Sequence, residues 1–99
     1  MGKSTYSSYG KFKSIVVDDL VNCAACGRKG SHAHHIFEGP DKPMSEKFHL
    51  MIPLCESCHY QIHNGNQDMN RHFKELAQKA WEKEHPMESF RNYFRKSYL

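Results

Sequence analysis

The sequence predicts a small α+β domain, and three observations carry that prediction. Two Cys-x-x-Cys pairs, Cys23-Ala24-Ala25-Cys26 and Cys55-Glu56-Ser57-Cys58, bracket a short central stretch. Inside it, the apolar runs Ala33 to Phe37 and Leu50 to Leu54 flank a cluster of turn-forming residues, which reads as strand, long loop, strand. After Met69 the apolar residues recur at spacings of three and four, the period of a helix.

A chain of 99 residues suggests one domain. Such a chain buries only about 60–68% of its unfolded surface, so its core is marginal and a structural staple is expected. The four cysteines suit that role. Their close pairing favours the four sulfurs of a closed tetrahedral zinc site over two disulfides. With no apolar signal stretch ahead of the domain, a reducing cytoplasm is the expected compartment. No apolar run approaches the length of a membrane span, so no membrane partner is expected. The net charge of +3 permits a nucleic-acid partner without requiring one.

Residues 1–13 carry Lys3, Lys11 and Lys13 among Ser, Tyr and Gly, with no acidic residue, and are expected to form a flexible basic arm. Residues 14–99 form the single domain, with a core over 22–64 and a helical part over 66–99. Ser14-Ile15-Val16-Val17 is β-branched and reads as an extended lead-in that packs on the core. Cys23 to Gly27 reads as a zinc knuckle, Gly27 supplying the positive φ of a tight turn around a metal. Glu38 to Pro43 reads as a loop throughout. Pro53 marks its strand as an edge strand, or as ending there, because proline cannot donate to a ladder. A helix follows from about Glu56 and stops at Asn64-Gly65.

Met69, Phe73, Leu76, Ala77, Ala80 and Trp81 form one apolar stripe of a longer helix. Pro86 ends it and opens a second, with a shorter stripe of Met87, Phe90 and Phe94. Beyond Glu88 no acidic residue remains, and Arg91, Arg95 and Lys96 interleave with Tyr93 and Tyr98. That tail is either a solvated face or a contact to the DNA backbone.

The histidines carry the remaining chemistry. His34-His35 lies between the Cys pairs, His59 follows Cys58 directly, and His63 lies four residues further. On a helix His59 and His63 share one face, from which both could reach a second metal or a phosphate. Adjacent residues of a regular strand point to opposite faces, so His34 and His35 can serve one centre only if the strand bends there. His32, His72 and His85 read as bystanders.

The residues Cys23-Ala-Ala-Cys26-Gly27, His34-His35-Ile36-Phe37, Ser45-Glu46-Lys47 and Leu54-Cys55 through His63 together resemble the HNH, or ββα-metal, endonucleases, and most closely small phage-type members with two Cys-x2-Cys knuckles. The likeness spans roughly residues 22 to 64. It implies a zinc-stapled ββα-metal finger that hydrolyses DNA phosphodiester bonds in the cytoplasm of a bacterial host. It further implies His35 as general base, and His34, His59 and His63 as holders of a catalytic divalent ion such as Mg2+, Mn2+ or Ni2+. Hydrolysis needs an activated water, a Lewis acid on the scissile phosphate and stabilisation of the leaving oxygen. One ion supplies the last two, and a neutral imidazole, with an ordinary pKa of about 6.5, supplies the first. The pattern departs from the family at the middle position of its triad, usually Asn, where this chain has Leu50. His49 or Glu46 could orient His35 instead, or the strands could be offset in register.

Two other readings compete. One is a zinc-knuckle module that binds DNA or a protein without chemistry. The other places His59 in the zinc shell in place of a cysteine. Nothing in the sequence marks a specificity module. A single copy would make one nick, and two-strand cutting calls for a homodimer or a larger phage nuclease or packaging partner.

Overall fold

The computed structural model describes residues 6, 7 and 10–99. Most of the expected flexible arm, residues 1–13, lies outside the described residues. Within it, β1 (Tyr6–Ser7) pairs antiparallel with β2 (Gly10–Lys11), and Phe12 is buried.

The centre of the domain is an antiparallel hairpin of β3 (His32–His35) and β4 (Met51–Leu54), with His32 opposite Leu54 and His35 opposite Met51. Both strands start or end slightly away from the expected runs, but the ladder continues where Ile36 N–H donates to the Leu50 carbonyl. Pro53 sits inside β4 without harm, because β4 pairs only with β3 in this two-stranded sheet.

The expected loop between the strands contains a helix. Residues 39–41 make a 3-10 turn, and α1 (Lys42–Phe48) follows with Pro43 in its first turn, where a missing N–H costs nothing. Ser45 fixes α1 against the hairpin: fully buried, its hydroxyl accepts from Phe37 N–H and donates to the Phe37 carbonyl. The helix ends at His49, which adopts a left-handed φ of 61°, and Leu50 N–H closes the cap on the Ser45 carbonyl.

The knuckle is a tight turn in which Gly27, at φ 83°, lets the chain reverse and Asn22 bridges Lys29. It is tied to the hairpin where Ala24 N–H donates to Pro53 and Ser31 N–H to Leu54. The lead-in packs Ile15, Val16 and Val17 on the core as expected, but as bends rather than a strand, because the Ser14 hydroxyl accepts from both Val16 and Val17 N–H.

Helix α2 (Glu56–His63) begins at Cys55, whose sulfur accepts from Cys58 N–H in the N-cap position. Helix α3 (Gln67–Glu84) is capped by Asn66, whose side chain accepts from Met69 N–H. Its stripe buries Phe73, Ala77 and Trp81 against Ile36, Phe37, Leu50, Ile52, Leu54 and Ile62, while Leu76 lies at the edge and is 37% exposed.

The second C-terminal helix expected after Pro86 does not form. Only a 3-10 turn at Phe90–Asn92 follows α3, and Met87 is 93% exposed. Phe90 and Phe94 instead stack on each other at 4.1 Å and dock beside Phe37 and Trp81, burial that a short turn achieves as well as a helix. The tail is then held by Gln78, buried on α3, which accepts from Tyr98 N–H and donates to Ser97. The radius of gyration, 12.8 Å, is close to the ~13 Å of a folded chain this long. No described helix is long and apolar enough to cross a membrane.

Candidate metal centres and their cleft

Two clusters of metal-binding side chains lie along the hairpin. In the first, Cys23 and Cys26 from the knuckle meet Cys55 and Cys58 at the start of α2, with all four sulfurs within 4.8 Å of one another. Cys26 and Cys55 approach to 3.6 Å. A tetrahedral zinc with sulfur at about 2.3 Å spaces its sulfurs by about 3.8 Å, so the set has the right dimensions. Cys23, Cys55 and Cys58 are buried and Cys26 is exposed. Burial works to raise the Cys23 thiol but is outweighed by backbone amides of Cys55, Cys26 and Ala25, which bring it down to about 7. Burial raises Cys58, reinforced by the neighbouring thiols. His59 belongs to the other cluster, so no cysteine needs replacing in the sulfur set.

In the second cluster, His34 from β3 meets His59 and His63 from α2, again with ligand atoms within 4.8 Å. The Nε2 atoms of His59 and His63 are 3.1 Å apart, close to the ~3.3 Å edge of a tetrahedral ion bound by imidazole nitrogen. His34 packs edge-on against both rings, at 5.3 Å in each case. Burial, then the neighbouring His59 and His63, depress the His34 pKa to about 3. Burial followed by His63 and His32 lowers that of His59. Both rings therefore keep a free lone pair at neutral pH, the state a divalent ion requires.

His35 follows strand alternation and points away from His34, towards α1. Its Nε2 lies 2.9 Å from Glu46 Oε2. A carboxylate only accepts, so Nε2 carries the proton and Nδ1 is left with the lone pair. Of the two expected orienting groups it is Glu46 that makes this contact, while His49 borders the cleft beyond it. Leu50, at the position where the family has Asn, is fully buried in the core. His34 and His35 nonetheless border one open cleft of about 400 Å³, with Glu38, Lys42, His59 and His63 around it.

Sequence reasoning passed over three residues here. His32 is no bystander: it stacks on His59 at 4.6 Å, and its position two before His34 on the same strand would have put it on that face. His85, also set aside, stacks on Trp81 at 4.4 Å, while His72 remains exposed. Glu38 reaches both His34 and His63 from a loop, where no periodicity could have pointed to it.

Arg91, Arg95 and Lys96 are all exposed. Lys96 joins Arg71, Lys74 and Tyr98 along a second groove, with the Lys74 and Lys96 ammonium groups 5.3 and 5.1 Å from the Tyr98 ring centre. Lys74 is also near enough to His34 to help disfavour its charged form. No family model, curated protein or solved structure matches the chain.

Proposed function

We propose that the chain is a metal-dependent DNA endonuclease of the HNH type, built on a zinc-stapled ββα-metal finger. One observation carries the reading. Three imidazoles converge from β3 and α2, and a fourth, His35, stands on the same cleft with a carboxylate on its far nitrogen.

In this reading Cys23, Cys26, Cys55 and Cys58 hold a structural zinc that clamps the knuckle to the start of α2. His34, His59 and His63 hold the catalytic divalent ion, which when bound supplies Lewis acidity at the scissile phosphate and charge stabilisation at the leaving oxygen. His35 takes the proton of the attacking water at Nδ1, while Glu46 keeps Nε2 protonated, aims the ring and stabilises the imidazolium formed. Lys42 adds a cation at the cleft wall. The groove lined by Lys74, Lys96 and Tyr98 takes the DNA backbone in this reading, its lysines meeting phosphates, while Arg71 there is paired with Glu75 at 2.9 Å.

The alternative, a zinc-knuckle module without chemistry, draws on Leu50, an apolar residue where the family pattern has Asn. Digestion of supercoiled plasmid with Mg2+, Mn2+ or Ni2+ separates the two. Nicked or linear product that is lost in His35→Ala supports the nuclease. Failure to cut with all three ions leaves the binding module as the better account.

A further inference from the structure

Glu38 has a feature the nuclease reading does not use. Its Oε2 is buried and has no hydrogen-bond partner among the described residues. The atom nevertheless faces two imidazole nitrogens, His34 Nε2 at 3.4 Å and His63 Nδ1 at 3.6 Å. A buried carboxylate oxygen left unpaired is costly.

The direction of the His63 contact matters most. His63 turns Nε2 to His59, at 3.1 Å, and its other nitrogen to Glu38. Glu38 thus lies behind the ring, on the side away from the cluster's convergence point. Carboxylates in that position behind metal-binding histidines fix the tautomer and raise ligand basicity. The backbone next to Glu38 is rigid, because Phe37 is bonded through both its N–H and its carbonyl to the buried Ser45 hydroxyl. Gly39 follows at φ 61°, a conformation that turns the chain away and that a side chain would strain.

We propose that Glu38 is a positioning residue of the histidine cluster, accepting an N–H from His63 at Nδ1 and one from His34 at Nε2. The inference rests on the reading of that cluster as a divalent-ion site. Both contacts are longer than hydrogen bonds and need to close by about half an ångström, a shift within reach of a glutamate side chain. With its Nδ1 proton committed to Glu38, His63 presents Nε2 as a lone pair, and His59 must be the donor in the short Nε2–Nε2 contact. His34 likewise keeps Nδ1 unprotonated. Two of the three rings are then set as ligands before any ion arrives.

The test uses the full chain carrying its structural zinc. Long-range 1H–15N spectra of the imidazoles should show His63 protonated at Nδ1 and His34 at Nε2, both with the second site empty and after it is loaded with diamagnetic Zn2+. In Glu38→Ala the two rings should lose that single tautomer, and calorimetric Ni2+ affinity should fall by about 10–100-fold. Glu38→Gln, which keeps an acceptor without the charge, should fall between. His63 protonated at Nε2 in the wild type, or unchanged affinity and tautomers in Glu38→Ala, overturns the role of Glu38. Spectra showing the carboxylate itself bound to the ion overturn it too. If wild-type protein takes up no ion beyond its structural zinc, the ion-site reading fails. The tautomers of the ion-free protein still decide whether Glu38 holds the rings.

Discussion

The pairing of His35 with Glu46 yields the most demanding prediction. On the proposed nuclease reading, removing Glu46 leaves the base, His35, in place but frees its ring and tautomer. A hydrogen bond to a charged group contributes about 1.5–3 kcal/mol when buried. The His35 side chain is 21% exposed and that of Glu46 60%, so water screens the carboxylate and the effect belongs near the low end. About 1–1.5 kcal/mol of transition-state stabilisation corresponds to a loss of roughly 5–15-fold in rate. His35→Ala should cost more, about 10²–10⁴-fold, the range of a positioned general base. Because Glu46 acts through His35, its removal from the His35→Ala protein should change nothing further. The assay is the initial rate of plasmid nicking at fixed Mn2+ for the wild type, Glu46→Ala, His35→Ala and the double variant. A Glu46→Ala loss as large as that of His35→Ala would refute the reasoning, as would an additive double variant. Either result would give Glu46 a role of its own at the phosphate.

Cys58→Ser should cost several kcal/mol of zinc-linked stability, a fraction of the ~10–16 kcal/mol that structural zinc supplies to small domains. Unchanged zinc content and melting temperature would remove the sulfur set from the fold. His59→Ala should abolish cutting through loss of the second ion while leaving one zinc per chain by elemental analysis, and excess Mn2+ should restore part of its activity but none of that lost in His35→Ala. Lys74→Gln with Lys96→Gln should flatten the dependence of DNA affinity on log salt by about 0.9 for each phosphate no longer neutralised. An unchanged slope would put the backbone on another face, with Arg91 and Arg95 next to be tested. Trp81→Ala should cost about 3–5 kcal/mol, measured by denaturant unfolding. Trp81→Phe should cost much less, since it deletes an indole N–H that is buried without an acceptor among the described residues.

What was legible in the sequence is what local chemistry dictates. Paired cysteines, a Gly in a tight turn and the Asn64-Gly65 stop are short-range signals, and the knuckle and α2 formed where they pointed. The i, i+4 spacing of His59 and His63 needed only a helix to bring their rings together. Helix α1 was hidden because its start, Gly-Pro-Asp-Lys-Pro, is turn chemistry, and what stabilises it is the long-range bond between Ser45 and Phe37. The tail misled in the opposite way. Phe90 and Phe94 have helical spacing, but the core asks only that both rings be buried, and Met87 at the start of the stripe found nothing to cover it. Glu38 could not have been found at all, since its place beside His34 and His63 depends on how the loop after β3 turns at Gly39.

The arrangement also explains why both clusters are carried on one short helix. Cys55 caps α2, Cys58 lies in its first turn, and His59 and His63 follow on the next turns, so the sulfur set and the histidine set share a single rigid rod. A helix of eight residues is too short to persist alone in water. Its shape therefore depends on what holds its two ends. At the first, Cys55 and Cys58 lie against the sulfurs of the knuckle, and the knuckle's amides tie in turn to Pro53 and Leu54 of β4. At the other end Ile62 is buried in the core, Asn66 N–H donates to the Gln61 carbonyl, and Glu38 faces His63. The histidine face is thus held from both ends of the helix. A loss of geometry at the cysteines would reach His59 within one residue, and a change at His63 would reach the same ring through the 3.1 Å contact between their Nε2 atoms.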